Sequence, residues 1–152
     1  MNEQKVLEQI HEALASTDTR QRKAERISEI IRKAGPYRWV GIYEVDSKDI
    51  TVVGWSGQGE PAYPHFPASK GLCGSAVASR KTVLVGDVTK DPRYLTTFGS
   101  TRSEIVIPVI RKDNGSVVAL IDAESERLNA FTNEDQILLE KCAATISEIG
   151  KK

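Results

Sequence analysis

Cysteine is scarce in this 152-residue chain: Cys73 and Cys142 are the only two, 69 positions apart. The amino terminus opens Met1-Asn2-Glu3-Gln4-Lys5 with no apolar export segment. The protein is therefore expected in the cytoplasm, where glutathione and thioredoxin keep thiols reduced, and a structural disulfide is not expected. Histidine is equally sparse, with only His11 and His65. A zinc site needs three or four N, S or O ligands at a recognisable spacing, so His11, His65 and the two cysteines suggest no metal site. No cofactor is expected either. No apolar run approaches the roughly 18–20 residues that span a bilayer. Charge of one sign is also missing in excess: 21 Lys and Arg face 21 Asp and Glu, and the basic residues are scattered. That excludes the electrostatic footprint of a nucleic-acid or anionic-membrane binder. Repeats, linkers and low-complexity tracts are absent.

What remains is a chain of the length of one domain, taken here as residues 1–152. Val6, Ile10, Ala13 and Leu14 fall at helical spacing, and Thr19 opens a second amphipathic stretch with Ala24, Ile27, Ile30 and Ile31. Gly35-Pro36 should stop that second helix. Two β-rich runs follow, 39–45 and 50–55, joined through Asp46-Ser47-Lys48-Asp49. Residues 56–69 hold three of the six prolines and read as a surface loop, a candidate lid. Small residues at helical spacing from Gly71 to Arg80 suggest a short helix lying close on a sheet. A short strand at 82–85 and a long connection at 87–102 come next. Residues 103–111 and 116–124 then form a hairpin through Asp113-Asn114-Gly115. Thr132-Asn133-Glu134-Asp135 has the form of a capping box, after which Ile137, Leu138, Cys142, Ile146 and Ile149 mark one face of a last helix.

This order of elements predicts an α+β sandwich built on an antiparallel sheet. Within it Asp122 and Glu124 alternate with Ile121 and Ala123, so both carboxylates share one face of their strand. Acid on a sheet face needs a reason.

The reason is suggested by five segments. Gly71-Leu72-Cys73-Gly74-Ser75-Ala76, Asp87-Val88, Ser103-Glu104-Ile105-Val106-Ile107-Pro108, Leu120-Ile121-Asp122-Ala123-Glu124-Ser125 and Phe131-Thr132-Asn133-Glu134-Asp135 together resemble stand-alone GAF domain proteins. Among these they are similar to the free methionine-(R)-sulfoxide reductases. The resemblance covers most of the chain and implies a PAS-like fold, with terminal helices on one face of the sheet and a ligand pocket on the other. It also implies that Glu104, Asp122 and, as a conservative change, Glu124 are pocket acids. By the same resemblance Trp39 stands where the reductases carry a pocket aromatic; a place in the core is equally open to it. The reductases' nucleophilic cysteine would fall at Thr97, and one of their resolving cysteines at Tyr63. Neither position is cysteine. Phe131 and Asp135 resemble part of a cyclic-nucleotide GAF signature, but Gln136 replaces its second acid, so the segment is read as structural.

Sulfoxide reduction needs a thiolate to attack sulfur, an acid to protonate the departing oxygen, and a second thiol to release the first. Clustered carboxylates can supply the acid, because like charges raise one another's pKa; they cannot supply the nucleophile. Three readings follow. The first is a binding module whose acids Glu104, Asp122 and Glu124 pair with the amine of a small ligand such as methionine or its sulfoxide, with Trp39, Tyr63 and Thr97 around it. The second is a reductase acting through Cys73 alone, with an external thiol such as thioredoxin as reductant. The third is an interaction module that uses its terminal helices without a ligand. Plainer alternatives are that Cys73 is a small buried residue at a helix start and that the acids are edge charges met by Arg102, Arg111 or solvent. Cys142 reads as packing. The apolar faces of the first two helices and the last suggest a homodimer, unless one core uses them all.

Overall fold

The computed structural model describes residues 2–35, 37–96 and 98–147. Helices α1 (Glu3–Ala15) and α2 (Arg20–Ala34) come first. Asn2 Oδ1 accepts from the Lys5 amide at 3.2 Å, and Thr19 Oγ1 from the Arg22 amide at 3.1 Å. These caps occupy donors that a first helical turn leaves without partners. Gly35 is the C-cap of α2; Pro36 lies outside the described residues.

The strands are β1 (Trp39–Val45), β2 (Asp49–Gly57), β3 (His65–Pro67), β4 (Val83–Val85), β5 (Ser103–Ile110) and β6 (Val117–Ser125). They form one sheet in the order β3-β2-β1-β6-β5-β4, with every neighbouring pair antiparallel. Asp46 Oδ1 closes the first hairpin by accepting from the Lys48 and Asp49 amides. The second turns through Gly115, whose φ of 73° suits a residue without Cβ. The antiparallel α+β architecture expected from element order is the one observed.

Alternation along the three central strands divides the interior in two. Val40 and Ile42 of β1, Ile105, Ile107 and Val109 of β5, and Ala119, Ile121 and Ala123 of β6 meet the apolar stripes of α1, α2 and the C-terminal helix α4 (Asn133–Thr145). Trp39, Tyr43, Val106 and Leu120 face the other way, toward α3 (Gly71–Ser79). Burial of both faces explains why these strands read as nearly continuous apolar runs. The start of α3 packs tightly against its own approach: a Cβ on Gly74 would sit 2.6 Å from the carbonyl carbon of Ser69.

Two expectations need correction. Residues 56–69 are not a loop throughout: β2 runs to Gly57, and His65–Pro67 pairs with β2 as an edge strand, with Ile50 opposite Phe66. Burial of Phe66 draws the chain back onto the sheet. The inner face of α4 is formed by Leu139, Cys142, Ala143 and Ile146, whereas Ile137 is 51% exposed and Leu138 half-buried. The capping box is present, with Thr132 and Asp135 bonded reciprocally, but Asp135 also accepts from the Tyr37 hydroxyl at 2.6 Å. Ile149 lies outside the described residues. Val6, Ile10, Ala24, Ile27, Ile31, Leu139 and Ile146 all enter one core, so these helical faces are used within the chain. No helix among the described residues is long and apolar enough to cross a membrane.

Candidate functional site

The register of β5 and β6 sets Glu104 opposite Glu124 and Val106 opposite Asp122. The period of two turns all three carboxyls to the α3 side of the sheet. All three are buried, with 3%, 2% and 0% exposure for Glu104, Asp122 and Glu124. They are therefore not edge charges, and Arg111 is occupied elsewhere, by Asp113 at 2.6 Å. Cys73 comes from the first turn of α3 and is 5% exposed. One ligand atom each from Cys73, Glu104 and Asp122 lie within 4.8 Å of one another.

These three groups line a cavity of about 20 Å³ together with Tyr43, Tyr63, Phe66, Gly71, Leu72 and Leu95. That is room for roughly one water molecule. An open groove of about 560 Å³ lies elsewhere, between α4 and the end of β5. It is rimmed by Arg80, Lys81 and Lys112 and has no convergent buried acids, so the smaller cavity is the candidate site.

Neither Glu104 nor Asp122 has an ion pair among the described residues. Burial, then repulsion by Asp122 and Glu124, pushes the Glu104 carboxyl well above the ordinary range, and its own proton is held against Asp122. Burial also raises Asp122, even though hydrogen bonds from Glu104 and Glu124 pull the other way. Asp122 Oδ1 has no hydrogen-bond partner among the described residues. Glu124 Oε1 accepts from the Thr101 hydroxyl at 2.7 Å. The same forces act on sulfur: burial and then Asp122, Glu104 and Glu124 push the Cys73 thiol well up, so it stays protonated near neutral pH.

Trp39 is fully buried, and its place is in the packing beneath the site, off the cavity wall. Its ring meets Tyr43 at 6.4 Å and Phe98 at 5.5 Å between centroids, and its Nε1 donates to the Gly59 carbonyl at 2.9 Å. This fit depends on Gly41, because a Cβ there would sit 2.3 Å from the Trp39 indole. Tyr63 stands at the mouth, 47% exposed. Thr97 lies outside the described residues. Cys142 is fully buried in the core of the opposite sheet face, so packing is its place.

Sequence reasoning missed Tyr43, Phe66, Leu72, Leu95, Thr101 and Arg38. Tyr43 was legible, since it follows Trp39 by four residues on one strand and shares its face. Phe66 and Leu95 sit in irregular segments where no periodicity marks them. Arg38 gives no local signal at all. Its guanidinium donates to Gln58, Ser100 and Glu126 and lies 5.6 Å over the Phe98 ring, tying together both connections beside the site.

Comparison with known proteins agrees with this architecture. The GAF domain description matches residues 17–149. The chain belongs to the GAF domain family. This GAF domain is 34% identical to the free methionine-R-sulfoxide reductase of Saccharomyces cerevisiae over 111 residues, 72% of this chain and 61% of that protein. The match thus spans less than two thirds of the yeast protein. It is 28% identical to GAF domain-containing protein A of Dictyostelium discoideum over 131 residues, 86% of this chain and 81% of that one. Among solved structures, the free methionine-R-sulfoxide reductase of Neisseria meningitidis in complex with its substrate superposes with a TM-score of 0.85. It has 29% identity and covers 98% of this chain and 88% of that one.

Proposed function

We propose that this GAF domain binds a small molecule bearing a protonated amine, such as methionine or methionine sulfoxide, at Glu104, Asp122 and Glu124. The observation that carries this reading is the burial of Glu104 and Asp122 at a cavity with no cation paired to either among the described residues. Buried like charges are costly, and an entering ammonium group relieves them. Trp39 supports the floor through Tyr43, and Tyr63 stands at the mouth. A methionine-sized ligand exceeds the cavity's present volume, so binding requires the segments carrying Tyr63 and Leu95 to move apart.

Binding is coupled to protons. The carboxyls must ionise to meet the ammonium, so affinity rises with pH above the ordinary carboxyl range and falls again once the ligand amine deprotonates. Calorimetric titration with L-methionine and its R-sulfoxide tests the reading. Asp122→Asn should weaken binding roughly 10–100-fold, the worth of one charged hydrogen bond. Equal affinity in wild type and variant contradicts it.

A second reading, a reductase working through Cys73, is favoured by the names of the yeast and Neisseria relatives. In it the Cys73 sulfur bonds to the sulfoxide sulfur while the oxygen leaves as water, taking the thiol proton and one from the acids; an external dithiol then attacks Cys73, breaking that S–S bond to release methionine, and closes to a disulfide as the Cys73 thiol is restored. The raised pKa of the thiol and the seat of Cys142 across the sheet both weigh against it. Methionine formation with a thioredoxin system that disappears in Cys73→Ser would replace the binding reading with this one.

A further inference from the structure

We propose that Cys73, Glu104 and Asp122 form a binding site for one divalent metal ion of the zinc or cobalt class. The site goes beyond the amine-binding reading and shares two of its three carboxylates, so metal and amine compete. One sulfur and two carboxylate oxygens converge from three separate elements, α3, β5 and β6, all within 4.8 Å. Tetrahedral zinc, with bonds of about 2.0–2.3 Å, needs donors spaced by roughly 3.5 Å. Closing that gap asks for side-chain movement of roughly 1 Å.

A second observation points the same way. Asp122 is 2% exposed and lines the cavity, and its Oδ1 has no hydrogen-bond partner among the described residues. A buried acceptor in that condition is costly unless something meets it. The cavity beside it, about 20 Å³, accommodates one water-sized body. That is enough for a metal ion while the walls stay closed, whereas an amino acid needs them open. The donor set also selects the metal. Thiolate sulfur with carboxylate oxygen suits zinc and cobalt, whereas calcium and magnesium want six or more oxygens. Three protein ligands leave a fourth position for water or ligand.

The experiment uses the full chain, stripped with chelator and titrated with cobalt(II), whose thiolate bond gives a sulfur-to-metal absorption band. The site predicts one equivalent per chain and a band that survives in Cys142→Ser, whose thiol lies on the other face of the sheet. It predicts loss of the band in Cys73→Ser. In Asp122→Asn it predicts affinity at least about 100-fold weaker, since even losing a partner of a metal ligand costs 10–100-fold. Circular dichroism establishes that each variant is folded, and Glu104→Gln provides an independent ligand deletion with the same expected weakening. A wild type without the band, or binding unchanged in Cys73→Ser and Asp122→Asn, overturns the inference. Titration of the stripped protein with methionine sulfoxide is read separately, so metal binding and amine binding stand or fall independently.

Discussion

Glu104 is the residue at which the electrostatics of the site becomes measurable. Its pKa is raised in the folded chain by burial first and by Asp122 next, while in the unfolded chain it returns to about 4.3. Above that value the native state holds more protons than the unfolded state. Its contribution to stability is therefore fully present below about pH 4.3 and is lost as pH rises through the folded value. Glu104→Gln removes the titration, so the variant should be more stable than wild type at pH 8 and its urea midpoint should change less between pH 5 and 8. A variant less stable than wild type at pH 8 would contradict this account of the acids. Gly41 offers a steric counterpart. Gly41→Ala drives a methyl into the Trp39 indole and should cost about 1–3 kcal/mol in chemical denaturation, the usual range for overpacking. No loss there would contradict a tight fit of Trp39 over Gly41.

At the scale of elements, the caps, hairpins and amphipathic stripes of α1, α2, β1, β5 and β6 were legible because each depends on neighbours within a few positions. Period two placed Asp122 and Glu124 on one face of β6, and the register with β5 added Glu104 to that face. The short edge strand His65–Pro67 was hidden, because three residues carry too little pattern and a proline argues against a strand. The inner face of α4 holds Leu139 where the pattern pointed to Ile137, two positions earlier, since a run of Ile-Leu-Leu fits the stripe in more than one phase. Arg38 was invisible for another reason: its partners Gln58, Ser100 and Glu126 lie 20, 62 and 88 positions away. Arg38→Ala should cost about 1–2 kcal/mol and speed limited proteolysis within both connections, near residues 58–63 and 98–100. Cleavage rates unchanged at both would show that Arg38 does not tie them.

At the scale of the whole molecule, one sheet separates two kinds of interior. The face toward α1, α2 and α4 is apolar and holds Cys142. The face toward α3 encloses three acids and Cys73. The division explains why a two-cysteine relay is unavailable within one chain and why the chemistry gathers on one side. It also bears on assembly, because the helical faces that suggested a homodimer are used in the first interior. A dimer would instead draw on surface side chains such as Leu84, Leu128 and Ile137, which are 40%, 55% and 51% exposed. Recognition of a protonated amine is the role proposed for the acidic interior. The direct measurement is calorimetry of this chain with L-methionine and, in parallel, with its deaminated analogue at the same pH. The expected result is binding of the amine-bearing compound, strengthening as pH rises from 5 to 8, and at least about tenfold weaker binding of the analogue. Equal affinity for the two, or tighter binding of the analogue, would contradict it.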